Sequence, residues 1–307
     1  MNAIKRMLGI APTAEKSGKG YIPSPLGLRF GVAKKSGYEP FDFGDRKHRG
    51  DKKILVLCAE ERYFEMENGK LFSTGNNAEE TAVPLMHLVA AGFGFDVVTS
   101  TGSPAVIEEW SAPREDQAVL GFLAEHQGKF DNPLSLRELV AQGELAETSP
   151  YVALFLPGGH GAMVGLPDDQ NVGTLIRWIN ESDRYLVAVC HGPAAMLATT
   201  TNGDGPHPYA GYELCAFPDS LDRRSPSLGY LPGQLPWLQC EKLEQQGMKI
   251  VNDKANGATH IDRKLLSGDS PKACDELGKI AAEALLADFA GETSRPTDPT
   301  QSTPRGS

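Results

Sequence analysis

Tyr185-Leu-Val-Ala-Val-Cys190-His191-Gly192-Pro193-Ala-Ala runs from strand-forming aliphatics through a thiol and an imidazole into a Gly-Pro pair that opens a helix-forming segment. The pattern predicts a strand, a sharp turn and a helix, with Cys190 at the turn. A thiol beside helix-terminal N–H groups feels their partial positive charge. Such a position lowers a cysteine pKa to roughly 3.5–7.5 and makes it a nucleophile at neutral pH. A lone cysteine at a strand end is more often an inert core residue. The Cys-His-Gly-Pro context argues for the reactive alternative.

Aliphatic runs of strand length lie on both sides of this stretch: Lys53-Ile-Leu-Val-Leu-Cys58, Phe95-Asp-Val-Val-Thr-Ser100, Tyr151–Leu156 and Lys249-Ile-Val251. They lack the polar–apolar alternation of a half-exposed strand and suit strands buried on both faces. Helical patterns fall between them. Val172, Leu175, Ile176 and Ile179 share one face, as do Leu277, Ile280, Ala284 and Leu285. Ser270 and Pro271 read as the cap and first residue of the last helix. Strands alternating with helices predict an α/β fold with a doubly wound, flavodoxin-like, mostly parallel sheet. Its ligands sit beyond the C-terminal strand ends, where Cys190 falls. Residues 1–50 read as an extended basic leader and 51–290 as the α/β domain, with an inserted subdomain over about 101–150. Residues 291–307 contain no aliphatic or aromatic side chain and are expected to be a disordered tail.

The 307 residues, 40% hydrophobic, are enough for one large core. No apolar run is long enough to cross a bilayer, no secretory signal pattern is visible, and no membrane association is expected. Five scattered cysteines without a C-x-x-C predict reduced thiols in a cytoplasmic protein. A net charge of −10 argues against stable nucleic-acid binding. Residues 1–36 run against that sign, with seven Lys/Arg and Glu15 alone. Such an arm suits either an acidic face of a partner subunit or plain solvation.

Three further features point to the same sheet edge. Pro157-Gly158-Gly159-His160-Gly161 follows a strand directly, and its glycines let backbone N–H groups approach a ligand oxygen. Ala216-Phe-Pro-Asp219-Ser-Leu-Asp222 offers two acids, either of which can orient His191; spacing alone leaves the choice open. Glu79 and Glu80 follow Ser73-Thr-Gly-Asn-Asn77 at a predicted helix start, where carboxylates usually serve the helix dipole. His160 is open between pocket and surface, His87 reads as a satisfied core residue, and Cys215 as an inert buried thiol.

Taken together, these motifs resemble the ThiJ/PfpI superfamily and, within it, the HchA-type branch of heat-shock chaperones and glutathione-independent glyoxalases (protein deglycases). Further matches carry the resemblance over about residues 45–290: Glu60-Glu61-Arg62-Tyr63, Asn68-Gly-Lys-Leu-Phe-Ser-Thr-Gly75, Cys215-Ala-Phe-Pro-Asp219, Gly229-Tyr-Leu-Pro-Gly233 and Asp262-Arg-Lys-Leu-Leu-Ser-Gly-Asp-Ser-Pro271. The resemblance implies Cys190 as nucleophile beside His191, Asp222 rather than Asp219 as the triad carboxylate, and Glu80 as the buried acid on the thiol. It also implies an oxyanion hole from the N–H groups of Gly159 and His191, and a homodimer. The branch holds a divalent metal with two histidines and a glutamate. The positions aligned with them are Val89, Gly94 and His126, so no metal is expected there, and no other cofactor.

The activity implied is cysteine-dependent conversion of methylglyoxal or glyoxal to hydroxy acids, D-lactate from methylglyoxal, without glutathione. Deglycation of Cys, Lys and Arg adducts and holdase activity on unfolding proteins are implied beside it. Two alternatives stand: a holdase chaperone without significant turnover, and a cysteine (amino)peptidase, since Cys-His-Asp is also peptidase chemistry. No Gly-x-Ser-x-Gly is present, and the first strand leads into Ala59-Glu60-Glu61-Arg62 rather than a dinucleotide-binding glycine turn.

Overall fold

The computed structural model describes residues 9–200 and 205–289. Seven strands form the central sheet: β1 (Lys53–Leu57), β2 (Gly94–Thr99), β3 (Leu134–Ser135), β4 (Tyr151–Leu156), β5 (Tyr185–Val189), β6 (Thr259–Asp262) and β7 (Leu265–Gly268). Their spatial order is β6-β7-β5-β4-β1-β2-β3, and all neighbours are parallel except the β6–β7 hairpin. Without the edge strands β3 and β6, the order is that of a flavodoxin-like doubly wound sheet. Pairing sets Leu55 beside Leu154, Leu154 beside Leu186, and Val187 beside Leu266.

The missing alternation has a direct cause, because helices cover both faces. In chain order they are α1 (Pro25–Gly31), α2 (Ala78–Ala90), α3 (Gln117–Asp131), α4 (Leu136–Ala141), α5 (Gln170–Glu181), α6 (Asp219–Arg224), α7 (Gln239–Gln245) and α8 (Cys274–Phe289). On one face Ile54, Val56, Val97, Phe155 and Val187 pack against α2 and α8. On the other, Leu55, Leu57, Leu154, Leu186 and Ala188 meet α5 through Val172, Leu175, Ile176 and Ile179. The one-face spacing predicted for α5 is the face it buries. No helix among the described residues is long and apolar enough to cross a membrane.

Away from the Cys190 turn, two predicted elements differ from the structure. Lys249-Ile-Val251 is not a central strand: Lys249–Ile250 pairs only with Glu213–Leu214 in a two-stranded ribbon, and Val251 is 45% exposed. The sheet position belongs to Leu265-Leu-Ser-Gly268, buried throughout and held by a hairpin that turns at Arg263 with φ 55°. Ser270 does not cap the last helix; its hydroxyl donates to Asp269 Oδ1 at 2.6 Å, and a 3-10 turn over Pro271–Ala273 leads into α8.

Residues 101–150 supply α3, α4 and β3, and β3 extends the central sheet beyond β2. In the leader, Thr13–Ala14 and Tyr21–Ile22 form a second, four-stranded sheet with Leu71–Ser73 and Tyr63–Glu65. The tail expected over 291–307 and the first eight residues of the leader lie outside the described residues.

Leu154 sits at the centre of the sheet with no exposed surface. Leu154→Ala is expected to cost about 2–5 kcal/mol in denaturant unfolding, the range for deleting a fully buried Leu side chain. A loss under 1 kcal/mol would show that this layer is not the core.

Candidate active site

β5 ends at Val189, and Cys190 follows at φ 58°, a left-handed conformation that is costly for a residue with a Cβ. The turn is tied down on all sides. Cys190 N–H donates to Gly268 O at 2.9 Å, and Cys190 O accepts from Phe217 N at 2.9 Å and Gln239 Nε2 at 2.8 Å. The segment after it, Gly192–Thr200, winds as a 3-10 helix rather than an α-helix.

Glu80 arrives from the opposite side, in the first turn of α2. Asn77 caps that helix, its side chain accepting from Glu79 N at 3.0 Å and Glu80 N at 3.1 Å. Asn77 N–H in turn donates to Gly158 O at 2.9 Å, which joins the helix start to the loop after β4. Gly158 lies between the acid and the thiol: a Cβ there would stand 2.2 Å from Glu80 Oε2 and 2.7 Å from Cys190 Cβ. Only glycine lets the two side chains meet. Apart from the sulfur it faces, neither Glu80 carboxyl oxygen has a hydrogen-bond partner among the described residues.

The histidine side of the site is a bridge. Cys190 Sγ lies 3.3 Å from His191 Nδ1, and His191 Nε2 lies 2.9 Å from Asp222 Oδ2. His160 Nε2 takes the other carboxylate oxygen, Oδ1, at 3.1 Å, and the two imidazole rings lie tilted at 34° with centroids 4.0 Å apart. Asp219, left open by spacing, is elsewhere: its carboxylate accepts from Cys240 N and Glu241 N at the start of α7. The structure thus brings Cys190, His191, Asp222 and Glu80 together and leaves Asp219 out. His87 is buried on Asp275 at 2.8 Å, and Cys215 is a buried thiol pushed up to about 11.

Burial governs the ionisation of this cluster. Cys190 is 5% exposed and Glu80 1%. Desolvation holds Glu80 up at about 8, with the neighbouring charges of Glu108, Glu79 and Asp269 adding to it, so the carboxyl is protonated at neutral pH. The lowered pKa predicted for Cys190 is not found: desolvation, then Glu80 and Asp222, push the thiol well above its usual value. The N–H groups of the 3-10 segment that follows do not offset this burial and the acids around the sulfur. Desolvation and the His160 ring keep His191 below its usual value and therefore neutral. Asp222 is also buried, yet the two histidines hold its carboxylate far below the usual range. With Asp222 ionised, His191 carries its proton on Nε2 and turns the Nδ1 lone pair toward sulfur.

The N–H groups of Gly159 and His191 donate to no acceptor among the described residues, which leaves both free for a ligand oxygen. Sequence reasoning missed Glu108, a buried acid pushed up to about 7 that accepts from Thr74 Oγ1 at 2.5 Å and Gly75 N at 3.2 Å. It missed Gln239 as well, since nothing in Leu238-Gln239-Cys240 signals contact with a turn 49 residues away. His160 was visible in the glycine loop, but its place on Asp222 was not.

The metal positions aligned from the resemblance do not form a donor set. Val89 and Gly94 have no donor atom, and the His126 ring packs edge-on against Phe95 and Phe122 at 5.0 and 4.5 Å. Among the described residues one group of ligand-type side chains lies within coordination reach, His160, His191 and Asp222, and its members are hydrogen-bonded to one another.

A thiol, an imidazole and a carboxylate meet at the C-terminal edge of a doubly wound α/β sheet. The chain belongs to the DJ-1/PfpI family, whose sequence profile matches residues 52–205. Within it the chain falls in the HchA-type branch. It is 45% identical over 271 residues to the protein/nucleic acid deglycase HchA of Escherichia coli O157:H7 and to protein/nucleic acid deglycase 1 of Escherichia coli strain K12, covering 88% of this chain and 94% of each relative. Two solved structures share the fold at low identity. One is the Rapid Encystment Protein 24 KDa of Francisella tularensis, with TM-score 0.63 and 21% identity over 76% of this chain and 99% of that one. The other is glyoxalase III of Candida albicans, with TM-score 0.59 and 17% identity over 76% and 97%.

Because the folded value for Glu80 lies above its ordinary 4.5, folding takes up a proton at this site. The stability tied to this group is present below about pH 4.5 and is lost as pH rises through about 8. Glu80→Gln is therefore expected to be more stable than wild type at pH 7–8, with the difference closing towards pH 4.5, in denaturant midpoints measured across pH. Parallel curves for the two proteins would show that Glu80 is ionised in the folded state.

Proposed function

We propose that the protein is a glutathione-independent glyoxalase and deglycase that uses Cys190 as its nucleophile on reactive carbonyls. The observation that carries this reading is the pairing around one sulfur: a proton acceptor, His191 Nδ1, at 3.3 Å on one side, and a protonated carboxyl, Glu80, on the other. The names of the curated relatives support carbonyl-adduct chemistry for the same branch.

In this scheme His191 takes the thiol proton as sulfur adds to the aldehyde carbon of methylglyoxal or glyoxal. The carbonyl electron pair moves to oxygen, which the N–H groups of Gly159 and His191 receive, and a proton completes the hemithioacetal. Glu80 or His191 then shuttles the proton from the aldehyde carbon to its neighbour. The first carbon becomes a thioester carbonyl and is oxidised, the second becomes an alcohol and is reduced, so no external redox partner is required. Water cleaves the thioester, restores the thiol and releases the hydroxy acid, D-lactate from methylglyoxal. Early glycation adducts on Cys, Lys or Arg present the same carbon chemistry. The small exposure of Cys190 favours the free aldehyde over an attached one, and it disfavours an extended peptide, hence a peptidase.

Cys190→Ala is expected to abolish lactate formation from methylglyoxal without glutathione while leaving the circular dichroism spectrum intact. Retained turnover in that variant would remove the cysteine from the reaction. Glu80→Gln is expected to lower kcat by about a hundredfold or more, the scale of a lost proton shuttle. A rate within a fewfold of wild type would assign the shuttle to His191 alone.

A further inference from the structure

Tyr230, within the Gly229-Tyr-Leu-Pro-Gly233 motif, has no part in the scheme above, yet it stands against the site. Its ring meets Trp110 at 5.8 Å, His160 at 6.1 Å and Phe72 at 6.2 Å between centroids. His160 shares Asp222 with His191, so the phenol is one ring away from the histidine bridge. The residue is partly exposed, so it belongs to the opening of the site rather than its floor. Its hydroxyl makes no hydrogen bond to another described residue and is not one of the sealed polar atoms, so it is open to solvent or to a ligand. Desolvation, with the acidic groups of Glu108, Cys190, Glu80 and Asp222 nearby, holds the phenol well above its usual value, so it remains a donor across the working pH range.

The other side of the ring is held by the leader. Ser24 caps α1 by accepting from Gly27 N at 3.0 Å, and Ser24 N donates to Gly229 O at 2.8 Å, which fixes the helix on the loop that carries Tyr230. Two glycines make the approach possible. A Cβ on Gly27 would stand 3.0 Å from the Tyr230 backbone, and one on Gly31 would stand 2.4 Å from Tyr230 Cε2. The basic leader therefore backs a residue of the site wall, a connection that its charge and composition do not suggest.

We propose that Tyr230 is a substrate-contacting residue: its hydroxyl donates to the second carbonyl oxygen of a small 2-oxoaldehyde bound at Cys190, and helix α1 of the leader positions it there. The inference rests on the carbonyl chemistry proposed above. A donor on that oxygen favours the proton transfer, because negative charge develops there as the neighbouring carbon loses its proton. It also selects for two adjacent carbonyls, since a simple aldehyde has no second oxygen for Tyr230 to hold.

The test uses the full chain in wild-type, Tyr230→Phe, Gly31→Val and doubly substituted forms, with two readouts. One is kcat/KM for methylglyoxal. The other is protection of Cys190 by methylglyoxal, and by propionaldehyde as a mono-carbonyl control, against methyl methanethiosulfonate; this needs no turnover and no carbonyl in the reagent. Tyr230→Phe is expected to lower kcat/KM about tenfold and to weaken protection by methylglyoxal by a similar factor. Protection by propionaldehyde and the unprotected modification rate should stay unchanged. Gly31→Val should reproduce this loss, and the double variant should lose no more than either single one; Gly31→Ala serves if the valine variant does not fold. Tyr230-dependent protection without wild-type turnover would keep this inference and overturn the glyoxalase reading. Tyr230→Phe within twofold of wild type in both readouts would overturn the inference while turnover persists, as would an absence of methylglyoxal protection in wild type. Losses that multiply in the double variant would overturn the role of the leader.

Discussion

Two ionisable groups, the Cys190 thiol and the Glu80 carboxyl, are enclosed together at the end of β5, and the rest of the site is arranged around the cost of that enclosure. Neither can carry a charge there cheaply. Desolvation raises both, and the acid resolves the conflict by keeping its proton at neutral pH. A neutral carboxyl beside sulfur is a donor, and the thiolate becomes reachable when that donor and the His191 lone pair share the work of moving one proton. Among the described residues no cationic side chain faces the sulfur, and a 3-10 turn rather than an α-helix follows it. In the proposed reaction, reactivity therefore resides in the pair rather than in a permanently ionised thiolate.

The fold serves this pair at several points. The left-handed turn at Cys190 lifts the sulfur out of the β5 pleat, and hydrogen bonds from three separate segments hold it there. Gly158 leaves room for the acid to reach the thiol. Asn77 fixes the start of α2 and, through Gly158 O, fixes it to the loop that also presents Gly159. Asp222, receiving two imidazoles, sets the orientation of His191 and so the direction of its lone pair.

Much of this was legible in the chain. Buried strands read as aliphatic runs because both faces of the sheet are covered, and a strand ending in Cys-His-Gly-Pro places its thiol at the ligand-binding edge. Lys249-Ile-Val251 misled because a short apolar run carries no information about its partner strands, whereas Leu265–Gly268 hid behind a serine and a glycine that are fully buried. The ionisation of Cys190 was read with the wrong sign, since a sequence shows the turn but not how many acids converge on it. Glu108, Gln239 and Tyr230 escaped, as did the contact of His160 with Asp222, for one shared reason: each depends on tertiary packing that no local pattern announces.

Everything at the sulfur turns on the protonation state of Glu80, which infrared difference spectroscopy of wild type against Glu80→Gln at pH 7 reads without an intermediary. A protonated-carboxyl carbonyl band is expected in wild type and is expected to disappear in the variant. That band should fade as pH is raised through about 8. Loss of carboxylate bands alone, with no protonated band at any pH from 6 to 8, would contradict a protonated Glu80.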